Sequence, residues 1–321
     1  MKHLLSIRDL GRGEVEDLFH LAAEGKARLR KGEVSTPLAG RSIALIFEKP
    51  SLRTRVTFEV GMAQLGGTAV YLAAQDIGLG HREPAPDVAR NLCRWVDGIV
   101  ARTFRQETVE DLARHATIPV INGLSDWEHP CQALADAFTL WERGLDLRQL
   151  RVAWVGDGNN VFHSLALLLA LFGTEVRAAW PPGYEAAPAV LDAARAAGGR
   201  VEVTHEVPDA VRGADVVYTD VWISMGQEAE RERRLEAFGR YQLNDRVLGF
   251  ARPGAMVMHC LPAHRGEEIT DAVLDGPRSI VLDQAENRLH VQKAVLLTLL
   301  GATMGDTQAN GPHSRATVRQ P

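Results

Sequence analysis

Short apolar runs alternate along this chain with longer segments whose apolar positions recur every three or four residues, the pattern of strands feeding helices. In the first half the spacing predicts helices over 11–30, 52–65, 86–95 and 108–115, and strands over 42–47, 68–72, 98–101 and 119–122. The quartet Gly123 to Asp126 reads as a polar turn after the last of these strands. A helix over 129–141 follows without an internal turn signal. A second series then supplies strands over 151–155, 176–179, 201–204, 216–219, 256–259 and 280–283, closed by a helix over 285–300. Such βα alternation buries parallel strands between helices, so the expected class is α/β, with two doubly wound parallel-sheet domains and the active site in the cleft between them. The expected division is 1–148 and 149–303, the terminal helix packing back on the first domain. Residues 304–321, polar and rich in Gly, Ser and Thr, are expected to be a flexible tail.

Composition narrows the class. Of 321 residues, 45% are hydrophobic and 24% charged, the balance of a globular protein with sizeable cores. A net charge of −5 gives no basic field for nucleic acid or an anionic membrane. The longest apolar run, 165–172, is far shorter than the roughly 20 residues of a membrane span, and no signal peptide is read at the start. A cytoplasmic location is therefore expected. Cys93, Cys131 and Cys260 are odd in number and lack metal-type spacing, which fits a reducing compartment.

The chemistry gathers where strands end. At Ser51-Leu52-Arg53-Thr54-Arg55 a strand hands over to a helix, so unpaired N–H groups of the first turn, two hydroxyls and guanidinium forks can meet a phosphate. An Arg-rich, solvated helix start is the plainer account of that string alone. Further strand ends carry Arg102, His129-Pro130-Cys131-Gln132, Asp157 to Asn160, Asp220 with Ser224-Met225-Gly226, His259-Cys260-Leu261-Pro262 and Asn287-Arg288. Each could be structural, yet a polar cluster at almost every strand end is hard to explain as packing.

Two other readings compete with an anion-transfer site. Gly156-Asp157-Gly158 resembles a dinucleotide turn, but Val161 stands where a third small residue is needed, and no acidic residue follows about 20 positions on. His259-Cys260 suggests a Cys–His hydrolase, but neighbours on an extended strand point to opposite faces.

Taken together, the clusters resemble the aspartate/ornithine carbamoyltransferase family over roughly 5–300. Ser51 to Arg55 is similar to its carbamoyl-phosphate motif and His129 to Gln132 to its second signature. Asp220-Val221-Trp222-Ile223-Ser224-Met225-Gly226 and His259 to Pro262 resemble the ornithine branch. The resemblance implies transfer of the carbamoyl group of carbamoyl phosphate to the δ-amine of L-ornithine, giving L-citrulline and phosphate, with no cofactor and no metal. It also implies a homotrimer whose sites borrow a loop, here His81 and Arg82, from the neighbouring subunit. Leu52 stands where many members have Thr, and Gly78 replaces a Gln found in some. The alternatives are another acceptor amine (an N-acylated ornithine, putrescine, lysine), a nucleotide-dependent oxidoreductase, or a silent paralogue with a binding role.

Carried over residue by residue, the family roles give Ser51, Leu52, Arg53, Thr54, Arg102, His129, Pro130, Cys131, Gln132, Cys260, Leu261 and Arg288 to carbamoyl phosphate. Arg102, His129, Gln132, Cys260 and Arg288 are the expected catalytic set. Asn160, Asp220, Ser224 and Met225 go to ornithine.

Overall fold

The structure is a computed structural model that describes residues 1–79 and 82–305. Ser42–Phe47 (β1), Thr68–Ala73 (β2), Gly98–Arg102 (β3) and Val120–Leu124 (β4) form one sheet, in the order β2-β1-β3-β4. Arg151–Val155 (β5), Glu175–Ala179 (β6), Arg200–Thr204 (β7), Val216–Thr219 (β8) and Met256–His259 (β9) form the other, in the order β7-β6-β5-β8-β9. Every pairing within both sheets is parallel. In the first half the helices are Arg12–Arg30 (α1), Leu52–Gln64 (α2), Ala74–Ile77 (α3), Ala85–Leu92 (α4), Gln106–His115 (α5) and Pro130–Glu142 (α6). The rest are Asn160–Ala170 (α7), Pro188–Ala196 (α8), Val207–Val211 (α9), Arg231–Phe238 (α10), Asp245–Leu248 (α11), Asp271–Leu274 (α12) and Val281–Leu299 (α13).

The strands are apolar on both faces because helices cover both. Along β1, Ile43, Leu45 and Phe47 enter one core while Ala44 and Ile46 enter another, the two-residue period of a strand. Along β5, Val152 and Trp154 join the same core as Ile43, and Ala153 and Val155 face the opposite side. That shared core, to which α1, α6, α7 and α13 contribute, joins the two sheets into one body. The helix α13 leaves the second sheet beside β9 and lies on α6, α1 and α2. Buried Lys26 ties it down, its Nζ donating to Asn287 Oδ1 at 2.7 Å and to Glu142 Oε2 at 3.0 Å.

Three expectations need correction. Gly123 and Leu124 belong to β4, where the register slips so that Arg102 pairs with Leu124 after Ala101 pairs with Asn122. The bulge absorbs Gly123, whose missing side chain leaves room for Val100 Cγ1, 3.2 Å from where a Cβ would sit. The predicted strand over 280–283 is one bridge, Val257 to Ser279, followed by the first turn of α13. Its apolar triplet was too short to separate strand from helix, and Leu282 points into solvent. Finally, Met304 is docked rather than part of a free tail: its side chain is buried and its carbonyl accepts from Ser35 Oγ at 2.9 Å and Arg28 Nη1 at 3.1 Å. Residues 306–321 of the expected tail, and His81 of the expected loop, lie outside the described residues.

Chain order locates the cleft. In the first sheet β1 lies between β2 and β3, and in the second β5 lies between β6 and β8, so the winding reverses at β1/β3 and at β5/β8. Ligands of open parallel sheets bind beyond the strand ends at such reversals. The segments leaving those four strands, Ser51 to Thr54, Arg102, Asp157 to Asn160 and Asp220, all line one cleft of about 980 Å³.

Candidate active site

At the phosphate-like end, Ser51 caps α2, its Oγ accepting the Thr54 N–H at 3.3 Å. The amides of Leu52 and Arg53 stay free of partners within the helix, at the positive end of its dipole. Leu52 lines this end of the cleft and is 73% exposed. Arg53, Arg102 and Arg288 converge from three elements, α2, β3 and α13. Arg288, within the helix expected over 285–300, projects from α13 and donates through Nη2 to Thr54 Oγ1 at 3.2 Å and through Nη1 to Gln132 Oε1 at 2.5 Å.

Burial and mutual repulsion weaken the hold of these cations on their protons. Arg102 is pushed down to about 9, first by burial, then by Arg288 and Arg53. Burial also lowers Arg53 and Arg288. His129, buried at the start of α6 and facing Arg288, Arg102, Lys49 and Arg53, is held well below the usual histidine range. It is therefore neutral at pH 7, able to donate one N–H without carrying charge. Arg102 Nε, Arg288 Nε and His129 Nδ1 are buried without a hydrogen-bond partner among the described residues. Unsatisfied buried donors among crowded cations call for an anion.

Opposite them the second sheet offers a different chemistry. Asp220 Oδ2 accepts Asn159 Nδ2 at 2.8 Å, and its Oδ1 accepts the Cys260 thiol at 3.0 Å. Burial, then Asp220, pushes that thiol well above its ordinary range, so Cys260 is no thiolate nucleophile. A His259 ring nitrogen lies within 4.8 Å of Cys260 Sγ, but both ring nitrogens are engaged elsewhere: Nε2 meets Glu268 Oε1 at 3.0 Å and Nδ1 accepts the Leu261 N–H at 2.9 Å. The hydrolase reading fails on both counts. Leu261 adopts φ 59°, a left-handed conformation unusual for a side-chain-bearing residue at an ordinary position. Ser224 is half-buried and Met225 exposed on the loop between β8 and α10. That loop is anchored by Arg234, which bonds Asp157 Oδ2 at 3.0 Å and the Trp222 carbonyl at 2.9 Å.

The dinucleotide reading fails structurally as well. A Cβ on Gly158 would lie 2.1 Å from Ala186 N, so this glycine serves close packing between loops. The first amides of α7 are already taken by Asn159 Oδ1, at 3.0 Å from Val161 N and 3.2 Å from Phe162 N.

Two residues expected at carbamoyl phosphate, Pro130 and Cys131, do not line the cleft. Pro130 begins α6 and is buried away from the cleft. Cys131 packs in the shared core with its Sγ 3.8 Å from the Asn122 carbonyl, and burial pushes its thiol up to about 11. Arg82, expected to serve a neighbour's cleft, is exposed and does not line this one. Asn160 lines it, but its Nδ2 is spent on the Ser125 carbonyl at 2.5 Å. Sequence reasoning passed over Lys49, whose buried Nζ lies 4.9 Å from the Phe104 ring centre at the cleft wall. Only its place two residues before Ser51 could have flagged it.

Comparison with known proteins agrees with this geometry. Residues 2–142 match the carbamoyl-P binding domain of aspartate/ornithine carbamoyltransferase, and residues 148–299 its Asp/Orn binding domain. The ornithine carbamoyltransferase of Thermus thermophilus is 54% identical over 299 residues, covering 93% of this chain and 97% of its own. That of Methanoculleus marisnigri is 52% identical over 303 residues, covering 94% and 98%. The solved ornithine carbamoyltransferase from Pyrococcus furiosus superposes with a TM-score of 0.91 at 50% identity, covering 94% of this chain and 97% of its own. With both domains matched in order and the two strand-end clusters facing one cleft, the chain belongs to the aspartate/ornithine carbamoyltransferase family.

Proposed function

We propose that the chain carbamoylates L-ornithine: the neutral δ-amine attacks the carbonyl carbon of carbamoyl phosphate, the bond to the phosphate oxygen breaks, the amine nitrogen gives up one proton to the departing phosphate or to solvent, and L-citrulline and phosphate leave. In this reading residues 1–148 bind carbamoyl phosphate and 149–303 bind ornithine. Ser51, Arg53, Thr54, Arg102 and the amides opening α2 hold the phosphate, with Arg288 and Lys49 adding positive charge. Thr54, Arg102 and neutral His129 donate to the carbamoyl oxygen, where negative charge grows during attack. The carbamoyl NH₂ donates to Gln132 Oε1 and the Leu261 carbonyl. Asp220 and Ser224 receive the α-ammonium, and Asn160 and the Met225 amide receive the α-carboxylate. Cys260 lies beside the δ-amine. Guanidinium groups carry the charge load, so neither cofactor nor metal enters the scheme.

The observation that carries this reading is the pairing in one cleft of three crowded guanidinium groups, two of them (Arg102 and Arg288) with an unsatisfied buried Nε, with a buried carboxylate, Asp220, on the facing wall. A dianion fits the first and a zwitterion's ammonium the second.

A homotrimer is part of the proposal. Leu52, Val56 and Val60 form an exposed stripe at helical spacing along α2, and Val70 is exposed on the edge strand β2. An apolar strip at a sheet edge is suited to burial against a second copy, which would set the loop of Arg82 over a neighbour's cleft. No helix among the described residues is long and apolar enough to cross a membrane. Cytoplasmic arginine biosynthesis is the proposed setting, with no nucleic-acid or membrane partner.

Citrulline formation by the purified chain tests the assignment. Carbamoyl phosphate with L-ornithine should give rapid turnover, and N-acetylornithine, putrescine and lysine little. Preference for any of those three amines would refute the ornithine assignment.

A further inference from the structure

Beneath the cleft lies a carboxylate that the proposed chemistry leaves unused. Asp136, one helical turn after Gln132 on α6, is fully buried. Its Oδ1 accepts Gln132 Nε2 and Gln284 Nε2, each at 2.7 Å, and its Oδ2 accepts the Tyr218 hydroxyl at 2.9 Å. These donors come from α6, α13 and β8, so the carboxylate is fixed by both halves of the molecule. Gln284 carries the network on, its Oε1 accepting the His259 N–H at 3.0 Å just before Cys260 and Leu261. Burial raises the Asp136 carboxyl to about 6, leaving it mainly ionised at neutral pH and above.

An amide side chain can be turned over, exchanging oxygen and NH₂, and its partners decide which way it sits. At Gln132 they agree. The Arg288 guanidinium, which only donates, faces Oε1 at 2.5 Å, and the ionised Asp136, which only accepts, faces Nε2 at 2.7 Å. The opposite orientation would set NH₂ against guanidinium and oxygen against carboxylate in a buried site, where mismatched polar groups are expensive. An amide oxygen has two lone pairs, and Arg288 uses one.

We propose that Asp136 is a positioning residue for carbamoyl transfer: it pins the Gln132 amide so that the free lone pair of Oε1 meets the carbamoyl NH₂. It touches no substrate itself. The inference rests on reading Gln132 as the acceptor for that NH₂, and the two claims fail separately.

The test compares binding of phosphonoacetamide, which has the carbamoyl NH₂, with acetonylphosphonate, which has a methyl group in its place. The unaltered protein should prefer the amide, and equal affinity for the two would overturn the NH₂-acceptor reading. Gln132→Ala should lose that preference, about tenfold for one hydrogen bond to a polar partner in a dry site. Asp136→Ala should lose a similar amount while binding acetonylphosphonate nearly as well as before. Asp136→Asn, whose amide oxygen can still accept from Gln132 Nε2, should restore most of it. In the Gln132→Ala background, Asp136→Ala should cause no further loss of preference. If Gln132→Ala keeps the preference, the NH₂-acceptor reading falls. If Gln132→Ala loses it but Asp136→Ala keeps it, or weakens both ligands equally, the positioning role falls. Should Asp136→Ala not fold, Tyr218→Phe removes one of the hydroxyl and amide donors holding the carboxylate; it should reduce the preference about threefold, and an unchanged preference would overturn the proposal.

Discussion

The two walls of the cleft are prepared for their ligands in opposite ways. On the wall built from the first sheet, and from Arg288 of α13, cations outnumber anions, and three buried nitrogens, two of them guanidinium donors, have no partner among the described residues. On the wall built from the second sheet, the groups read as ornithine ligands already have internal partners: Asp220 holds Asn159 and Cys260, and Asn160 reaches across to Ser125, while the Tyr184 hydroxyl and His264 Nδ1 have none among the described residues. The first wall gains from an incoming dianion at once, because crowding among its cations is relieved. The second must exchange internal hydrogen bonds for substrate ones, which are of similar strength. Carbamoyl phosphate should therefore draw its affinity from charge, and ornithine its selection from geometry.

The largest effect expected from disturbing this contrast is at Arg102. Arg102→Lys retains a charge but not the planar fork that meets the developing oxyanion. Turnover should fall on the order of 10²-fold or more, a barrier increase of about 3 kcal/mol, with a much smaller change in carbamoyl-phosphate affinity. Steady-state kinetics with both substrates varied would show it, and unchanged turnover would remove Arg102 from the transition state.

Next is Asp220→Asn on the facing wall. The carbonyl of Asn can still accept from Cys260, but the charge that reads the α-ammonium is lost. The ornithine KM should rise about 10- to 100-fold, while carbamoyl-phosphate binding measured by calorimetry stays near its original value. An equal loss for both substrates would mean the two walls are not independent.

A smaller effect, distinguished by its pH dependence, belongs to Lys49. Burial first, and then Arg102, lowers its ammonium to about 8. It is charged below that pH and neutral above it, so its pull on phosphate is present at pH 7 and fades as pH rises through about 8. Lys49→Met should weaken carbamoyl-phosphate binding about tenfold at pH 7 and progressively less toward pH 9.5. A deficit that stays constant over that range would show that Lys49 acts by shape alone.

The same contrast explains what was legible in the sequence. The phosphate wall is largely local: a strand, a turn and a helix start over 42–55 put Ser51, Arg53 and Thr54 where first-turn amides point, and such a string can be read by eye. Strand positions were legible because both faces are covered, leaving short unbroken apolar runs. What could not be read is pairing between distant segments. Arg234 meets Asp157, and Gln284 meets Asp136, across 77 and 148 residues. Arg288 was expected at the start of the last helix and lies in α13; only where that helix begins was misread, because the triplet Ile280-Val281-Leu282 fits a strand as well as a first helical turn. Cys131 carries no mark in the sequence that it faces the core while Gln132, its neighbour, faces the cleft; helix α6 is buried all round, so periodicity gave no sides.

Determining the structure of the chain with phosphonoacetamide and L-norvaline, the ornithine skeleton without its δ-amine, tests the two-wall account most directly. The account predicts the phosphonate on Ser51, Arg53, Thr54 and Arg102, the carboxamide NH₂ on Gln132 Oε1, and the norvaline ammonium on Asp220 with its carboxylate at Asn160, released from Ser125. A phosphonate bound elsewhere, or a norvaline ammonium turned away from Asp220, would contradict it.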